Sequence, residues 1–306
     1  MMRDLFRGGL FRGRQTPADM WVRCGKCQEL TYTREWEGNF KVCQRCSYHS
    51  VLSTQERVDL LLDPESFAEL DAKMRSGDPL HFEPEGRESY RAKLERETAK
   101  SGLADACAYG RGTLEGIPVV LAVLDMAFFV GSMGSVVGEK ITRACELARD
   151  ERRPLVICSA SGGARQQEGV VALLQMAKTA AAVRRLGESR MPYISILTDP
   201  TLAGVTASFA TLGDCIIAEP GAVIGFAGPR IIEQATGEKL PPNADTAEFQ
   251  LGHGMVDLVI PRRELRETVA KLIRLHLDAT ARRPERELDG QQVRQSVPAG
   301  ELVAAV

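Results

Sequence analysis

The chain has 306 residues, 44% of them hydrophobic and 26% charged, and a formal net charge of −2. That length holds one large domain plus a small one, and the composition is that of an ordinary soluble globular protein. A charge this close to zero excludes a global field that would gather nucleic acid, and no uninterrupted apolar run reaches the ~18 residues needed to cross a bilayer.

Residues 1–20 read as a flexible basic arm, with Arg3, Arg7, Arg12 and Arg14 against Asp4 and Asp19. Its apolar stretch Leu5–Leu10 is too short and too interrupted for a secretory signal. Residues 21–50 hold two CxxC pairs among polar and aromatic residues. Residues 51–100 are strongly charged and read as a helical connector: Val58, Leu61 and Leu62 make a short apolar stripe, and Asp63-Pro64 and Gly77-Asp78-Pro79 punctuate it. From Ser101 to residue 282 short apolar runs alternate with helical patterns. Strands are predicted at Ile117–Asp125, Pro154–Ala160, Pro192–Thr198, Asp214–Ala218, Ala222–Phe226 and Val256–Ile260. Their near-continuous apolar character predicts a sheet covered on both faces. Helices are predicted at Ser135–Asp150, Glu168–Leu186 and Arg262–Leu277. The alternation argues an α/β domain at 101–282, followed by a tail at 283–306.

Of eight cysteines, Cys107, Cys145, Cys158 and Cys215 are scattered through apolar segments and make no disulfide framework, which points to a reducing cytoplasm. The other four are spaced Cys24-x2-Cys27-x15-Cys43-x2-Cys46. Each CxxC can turn as a knuckle presenting two thiolates, and four thiolates close a tetrahedral zinc shell with no position left for water. A structural zinc site is therefore favoured over a redox pair or reduced core cysteines. Neither CxxC opens a helix after a strand, as a thioredoxin-like motif requires. His49, three residues past Cys46, reads as a surface residue. Arg23, Lys26, Lys41 and Arg45 surround the knuckles and, with the arm, offer an alternative role in weak nucleic-acid binding.

Four glycine-containing corners follow apparent strands: Gly131–Gly138, Ser159–Arg165, Thr198–Gly204 and Gly225–Arg230. Glycine permits close backbone approach or positive φ, and a corner leading into a helix leaves N–H groups that can meet an anion. Each corner alone reads equally as a turn or a packing site; four in one domain favour a crevice lined by amides. There is no GxxxxGK[ST], GxGxxG or GxSxG sequence. None of the four histidines suggests a triad base, and His253 reads as a turn residue. Asp199 and Asp214 read as a turn residue and a strand-start residue. Amide donors without acid–base groups suit stabilisation of an enolate, the base coming from substrate or cofactor.

The cysteine quartet followed in order by Gly131–Gly138, Ser159–Glu168 (SASGGARQQE), Pro192–Pro200 (PYISILTDP) and Gly225–Gln234 (GFAGPRIIEQ) resembles the β subunit of the bacterial acetyl-CoA carboxylase carboxyltransferase. The resemblance runs from Trp21 to about residue 280. It implies a crotonase/ClpP-like core of repeated β-β-α units with an N-terminal zinc ribbon. It implies transfer of a carboxyl group from carboxybiotin, borne by a biotin carboxyl carrier protein that an ATP-using biotin carboxylase reloads, to acetyl-CoA, giving malonyl-CoA for fatty-acid synthesis. An α subunit would complete the site in an α2β2 assembly. Ala203 and Gly204 match the family's Gly-Gly oxyanion pair, with alanine replacing the first glycine, where a left-handed backbone would be strained. Gly162 and Gly163 would line the same crevice, with Gly228 a further lining position. Arg165 and Arg230 would meet CoA phosphates or the α subunit, or form structural salt bridges.

Overall fold

The computed structural model describes residues 20–227, 229–239, 241 and 243–281, so the predicted arm (Met20 apart) and tail lie outside the described residues. The chain begins with a small module of β1 (Trp21–Arg23), β2 (Leu30–Tyr32) and α1 (Thr33–Gly38). Then come α2 (Thr54–Leu61), β3 (Ala68–Leu70), α3 (Tyr90–Ser101), β4 (Cys107–Leu114), β5 (Ile117–Leu124) and α4 (Ser135–Asp150). Next are β6 (Leu155–Ser161), α5 (Gly169–Glu188), β7 (Tyr193–Leu202), the single turn α6 (Ala203–Thr206), β8 (Cys215–Ala218) and β9 (Ile224–Gly225). The described residues close with α7 (Pro229–Thr236), α8 (Ala247–Gly252), β10 (Leu258–Val259) and α9 (Leu265–Ala281). None of these helices is long and apolar enough to cross a membrane.

One sheet runs in the order β10-β8-β7-β6-β5-β4-β3, with β9 beside the far end of β7. β5, β6, β7, β8 and β10 are parallel; β3 and β4 are antiparallel at one edge. Along β5, Val120, Ala122 and Leu124 enter one core while Val119, Leu121 and Val123 enter the other. This is the period of two expected for a strand buried on both sides. Val137, Ile141, Ala144 and Cys145 of α4 and Ala182 and Leu186 of α5 cover the first face. Val58, Leu60 and Leu61 of α2 and Leu265, Val269 and Ile273 of α9 cover the second. α2 starts with a capping box between Ser53 and Glu56. The carboxylate of Asp125, just past β5, accepts from Thr54 N at 2.7 Å and so fixes that helix to the end of the strand.

Two elements differ from the sequence reading. β4 carries Gly110 and Gly112, which argue against a strand. Here both are needed for close approach: a Cβ on Gly110 would stand 2.1 Å from Ala68 O of β3, and one on Gly112 2.5 Å from Leu62 Cδ1. The segment 51–100 is built into the core, because α2 packs on the sheet and β3 extends it.

The cysteine-bearing module is held to this core by a buried ion cluster. Glu219, at the end of β8, takes Arg57 Nη2 at 3.1 Å, Arg262 Nε at 2.8 Å and Arg262 Nη2 at 2.7 Å. Arg262 also donates to Phe40 O at 2.6 Å and Ser50 O at 2.9 Å. His49 is buried rather than at the surface: its Nδ1 donates to Ser47 O and its Nε2 accepts from Arg262 N at 3.3 Å. Burial acts to raise the Glu219 pKa, but Arg57 and Arg262 outweigh it and hold the carboxyl well below its ordinary 4.5. Glu219 therefore contributes stability above pH ~4.5 that is lost as pH falls toward its depressed folded value. Glu219→Gln leaves two buried guanidinium groups uncompensated and should lower unfolding stability at pH 7 by about 3–5 kcal/mol. Urea midpoints of the wild type and the variant should converge as the pH is taken below 4.

Candidate active site

β5, β6 and β7 lie side by side and parallel, so the segments after them meet at one edge of the sheet. In open α/β sheets the crevice outside the carboxyl ends of parallel strands is where ligands bind. Phe129–Gly131 follows β5, Gly162–Ala164 follows β6, and Ala203–Gly204 follows β7. Backbone bonds knit them: Gly162 N donates to Val130 O at 2.9 Å, Met133 N to Gly163 O at 2.8 Å, and Arg165 N to Met133 O at 2.9 Å. Gly163 has φ +114, and a Cβ there would stand 2.6 Å from the Cβ of Ala203. A Cβ on Gly204 would stand 3.2 Å from Met176 Sδ and 3.4 Å from Ala164 Cβ. Gly162, Gly163, Ala203 and Gly204 thus come together in one corner. Ala203 does adopt the left-handed backbone, with φ 52.

The amides of this corner divide into used and unused. Gly162 N–H serves Val130 O, and Gly163 N–H serves Ser161 Oγ at 3.0 Å. These two glycines therefore line the corner without offering donors. Ala164 N–H has no acceptor among the described residues and lies 3.7 Å from where a Gly204 Cβ would stand. Gly204 sits in the first turn of α6, whose N–H groups have no intrahelical acceptor. Ala164 escaped the sequence reading because alanine carries no signal of an exposed amide; only its place beside two glycines pointed to it.

Arg165 is a correction. It is fully buried and all five of its N–H donors are placed. They go to Asp105 Oδ1 at 2.8 Å and Oδ2 at 3.0 Å, Tyr90 Oη at 3.3 Å, Ser132 O at 2.8 Å and Ser132 Oγ at 3.2 Å. The guanidinium also lies 5.4 and 5.1 Å from the ring centres of Phe128 and Phe129. No donor remains for a CoA phosphate. Burial acts to lower its pKa, and the Asp105 carboxylate outweighs that and raises it.

The corner Gly131–Gly138 is also closed. The anion at the N-terminus of α4 is the chain's own Glu168, which accepts from Ser135 N at 2.5 Å and from Tyr90 Oη and Ser76 Oγ at 2.7 Å each. Burial acts to raise the Glu168 pKa; these donors, Ser135 N–H foremost, outweigh it and lower it. Gly134 makes room for this carboxylate and Gly138 for Gln175 of α5. Of the remaining candidates, Gly228 lies outside the described residues and Arg230 falls in α7. His253 stacks on Phe249 at 3.9 Å and bonds its backbone, as a turn residue. Asp199 accepts from Val223 N and Asp214 from Tyr193 N, so both carboxylates brace strands.

In the N-terminal module the two knuckles are equivalent turns. Gln28 N donates to Cys24 O at 3.0 Å with φ 60 at Gln28, and Ser47 N donates to Cys43 O at 2.9 Å with φ 57 at Ser47. Cys24 Sγ and Cys46 Sγ are 3.6 Å apart, Cys27 Sγ and Cys43 Sγ 3.7 Å, and all four lie within 4.8 Å of one another. A tetrahedral site with metal–sulfur bonds of about 2.3 Å needs edges of roughly 3.7–3.8 Å, so the donor set fits one ion. The thiols of the cluster divide: burial acts to raise the Cys24 pKa, but backbone N–H groups of Cys27 and Lys26 outweigh it and bring it to about 7, whereas burial pushes Cys46 up to about 12.

A parallel-strand corner with unused amides and no acid–base pair among its described residues, together with a separate four-thiol cluster able to hold a metal ion, fits a class of enzyme that works on oxyanions. Residues 51–255 match the carboxyl transferase domain family. The acetyl-coenzyme A carboxylase carboxyl transferase subunit beta of Pelotomaculum thermopropionicum is 49% identical over 284 residues, 90% of this chain and 99% of that protein. The same subunit of Heliobacterium modesticaldum is 51% identical over 257 residues, 84% of this chain and 95% of that protein. Among solved structures, transcarboxylase 12S with methylmalonyl-coenzyme A bound superposes with a TM-score of 0.62 at 29% identity, over 72% of this chain and 40% of that one. A Pseudomonas malonate decarboxylase hetero-tetramer with malonate superposes with a TM-score of 0.60 at 28% identity, over 73% of this chain and 82% of that one. The chain belongs to the carboxyl transferase family, among the β subunits of the acetyl-CoA carboxylase carboxyltransferase, and its core has the crotonase-like fold of that family.

Arg165→Ala strands the buried Asp105 and should lower unfolding stability by about 3–5 kcal/mol, read by urea denaturation. Arg165→Lys should recover little of it, since an ammonium has three donors where five are in use.

Proposed function

We propose that this chain transfers a carboxyl group from carboxybiotin, presented by a separate carrier protein, to acetyl-CoA in the cytoplasm, forming malonyl-CoA, and that an α subunit completes its site in an α2β2 assembly. A biotin carboxylase reloads the carrier. The observation that carries the reading is the corner at the ends of β5, β6 and β7, where the amides of Ala164 and Gly204 adjoin in a chain of this family. Carboxybiotin supplies both the carboxyl group and the base.

The chain's own part follows from the geometry. When the acetyl methyl group loses its proton, negative charge moves to the thioester oxygen. N–H groups held by strands and a turn meet that charge without reorganising, and one such donor is worth about 2.7–4 kcal/mol in the transition state. The Ala203–Gly204 backbone acts as the oxyanion pair, Ala164 adds a donor, and Gly162 and Gly163 let the thioester approach. Neither Arg165 nor Glu168 moves a proton here; both hold the corner's backbone.

The purified chain alone should form little malonyl-CoA from acetyl-CoA and carboxybiotin, and adding the α subunit should restore turnover. Full activity of the isolated chain would remove the two-subunit requirement, and an inactive pair would overturn the reaction assignment.

The four thiols hold one structural zinc ion. Trp36 is buried beside Cys24 and Cys43, whereas the other tryptophan, Trp21, is 55% exposed. Chelation, or Cys43→Ser, should release one zinc per chain and red-shift Trp36 emission while far-UV ellipticity of the sheet and helices persists. A preparation without zinc, or one whose emission ignores its removal, would count against the assignment. The nucleic-acid alternative gains nothing from the surface: Arg45 pairs with Glu29 and Lys41 with Glu56, which leaves a weak field around the knuckles.

A further inference from the structure

Three residues at the corner other than glycine, Phe129, Val130 and Ala203, hold a backbone conformation that suits glycine. Val130 has φ 55 and ψ 37, and Ala203 has φ 52. Left-handed backbone is disfavoured for any residue with a Cβ and is a genuine outlier for a β-branched one. Val130 recovers little by burial, since it is 57% exposed. Its conformation is imposed by its surroundings. Phe129 and Gly131 on either side are also left-handed, at φ 46 and 65. Val130 O takes Gly162 N–H, and the Phe129 ring lies between Arg165 and Lys93, each 5.1 Å from its centre.

The two side chains flank the same glycine pair. Val130 Cγ1 lies 3.4 Å from where a Gly162 Cβ would stand, and Ala203 Cβ lies 2.6 Å from where a Gly163 Cβ would stand. A glycine at either position would remove the strain and leave the backbone bonds in place. What it would also remove is a methyl-bearing wall. Strain kept at a site edge points to a role for the side chain it carries. The fold itself does not exclude a branched acyl group, because transcarboxylase 12S shares it and binds methylmalonyl-coenzyme A.

We propose that Val130 and Ala203 are the selectivity walls of the acyl subsite, narrowing it over Gly162 and Gly163 so that an acetyl group enters and an acyl group with one more methyl is refused. This rests on the carboxyltransferase reading of the same corner. The test uses Val130→Gly, Ala203→Gly and the double variant, each assembled with the α subunit, and compares kcat/KM for acetyl-CoA and propionyl-CoA with carboxybiotin as donor. One methylene of pocket space is worth about 10–200-fold, so the propionyl-to-acetyl ratio should rise at least about 10-fold in the double variant. Thermal midpoints should hold or rise, since both changes relieve left-handed strain. Retained acetyl-CoA turnover with an unchanged ratio overturns this inference alone. Loss of turnover with both substrates in Val130→Gly, with a midpoint that is not lowered, also overturns it, by placing that side chain in turnover instead of selection. A wild-type assembly inactive with every acyl-CoA overturns the reaction assignment, and the inference with it.

Discussion

The geometry of the corner depends on one buried guanidinium. Arg165 follows the β6 loop in the chain, yet its five donors reach Asp105 ahead of β4, Ser132 in the segment after β5, and Tyr90 in α3. Its backbone N–H meanwhile serves Met133 O. The segments holding Val130 and Ala164 are knit by backbone bonds, and the Arg165 side chain adds two directional bonds to Ser132 that hold them against each other. A buried ion pair adds little net stability once desolvation is counted. Its value here lies in geometry, since the two bonds to Ser132 fail if the segment after β5 shifts and all five fail if Arg165 itself is displaced. Glu168 would leave this cluster with surplus negative charge, but its carboxylate sits at the N-terminus of α4, where the helix dipole and Ser135 N–H compensate it.

The same constraint suits the reliance on backbone amides that we propose. The charged groups near the corner are buried and fully bonded, so they cannot follow a substrate. A strand-end amide needs no such freedom, because it is aimed by the sheet. The four-cysteine module joins this frame through a second buried cluster. Arg262 reaches Phe40 O and Ser50 O of the module while pairing with Glu219 of the sheet. Tyr48, two residues past Cys46, brings its hydroxyl to 3.5 Å from Asp199, four residues before Ala203. The four-cysteine cluster is thus separate from the corner, though its module touches the strand that leads to it.

The sequence disclosed the elements whose burial is uniform. β5, β6 and β8 sit within a residue or two of their predicted spans, and α4 matches Ser135–Asp150, because apolar runs and a 3.6-residue stripe need no tertiary knowledge. β4 was illegible, since its glycines are there for the approach of β3 and Leu62, contacts that lie 40 or more residues away in the chain. The clustering of the four cysteines was legible because the spacing within each CxxC pair is local. His49 was misjudged at the surface because its partner, Arg262, is more than 200 residues distant. Arg165 was misplaced for a similar reason: a sequence shows that a cation lies beside a glycine corner, but not that Asp105 and Tyr90 have already taken it.

Glycine was the signal that drew attention to the corner, and its meaning differs at each position. Gly131 needs φ +65 and lies against Ala160 O, Gly134 admits a carboxylate, and Gly138 admits Gln175. These three serve helix and loop packing, and only Gly162, Gly163 and Gly204 border the corner where amides remain unused. The converse signal, a left-handed residue that is not glycine, is harder to read in a sequence. Ala203 showed it only by standing where the family it resembles has glycine, and Val130 looks like an ordinary apolar residue until its φ angle is known. A corner pinned by Arg165 can hold them there, because a backbone so restrained cannot relax by drifting toward the β region. In the proposed reaction, the rigidity that would aim an amide at an oxyanion would also keep a strained methyl group beside the substrate.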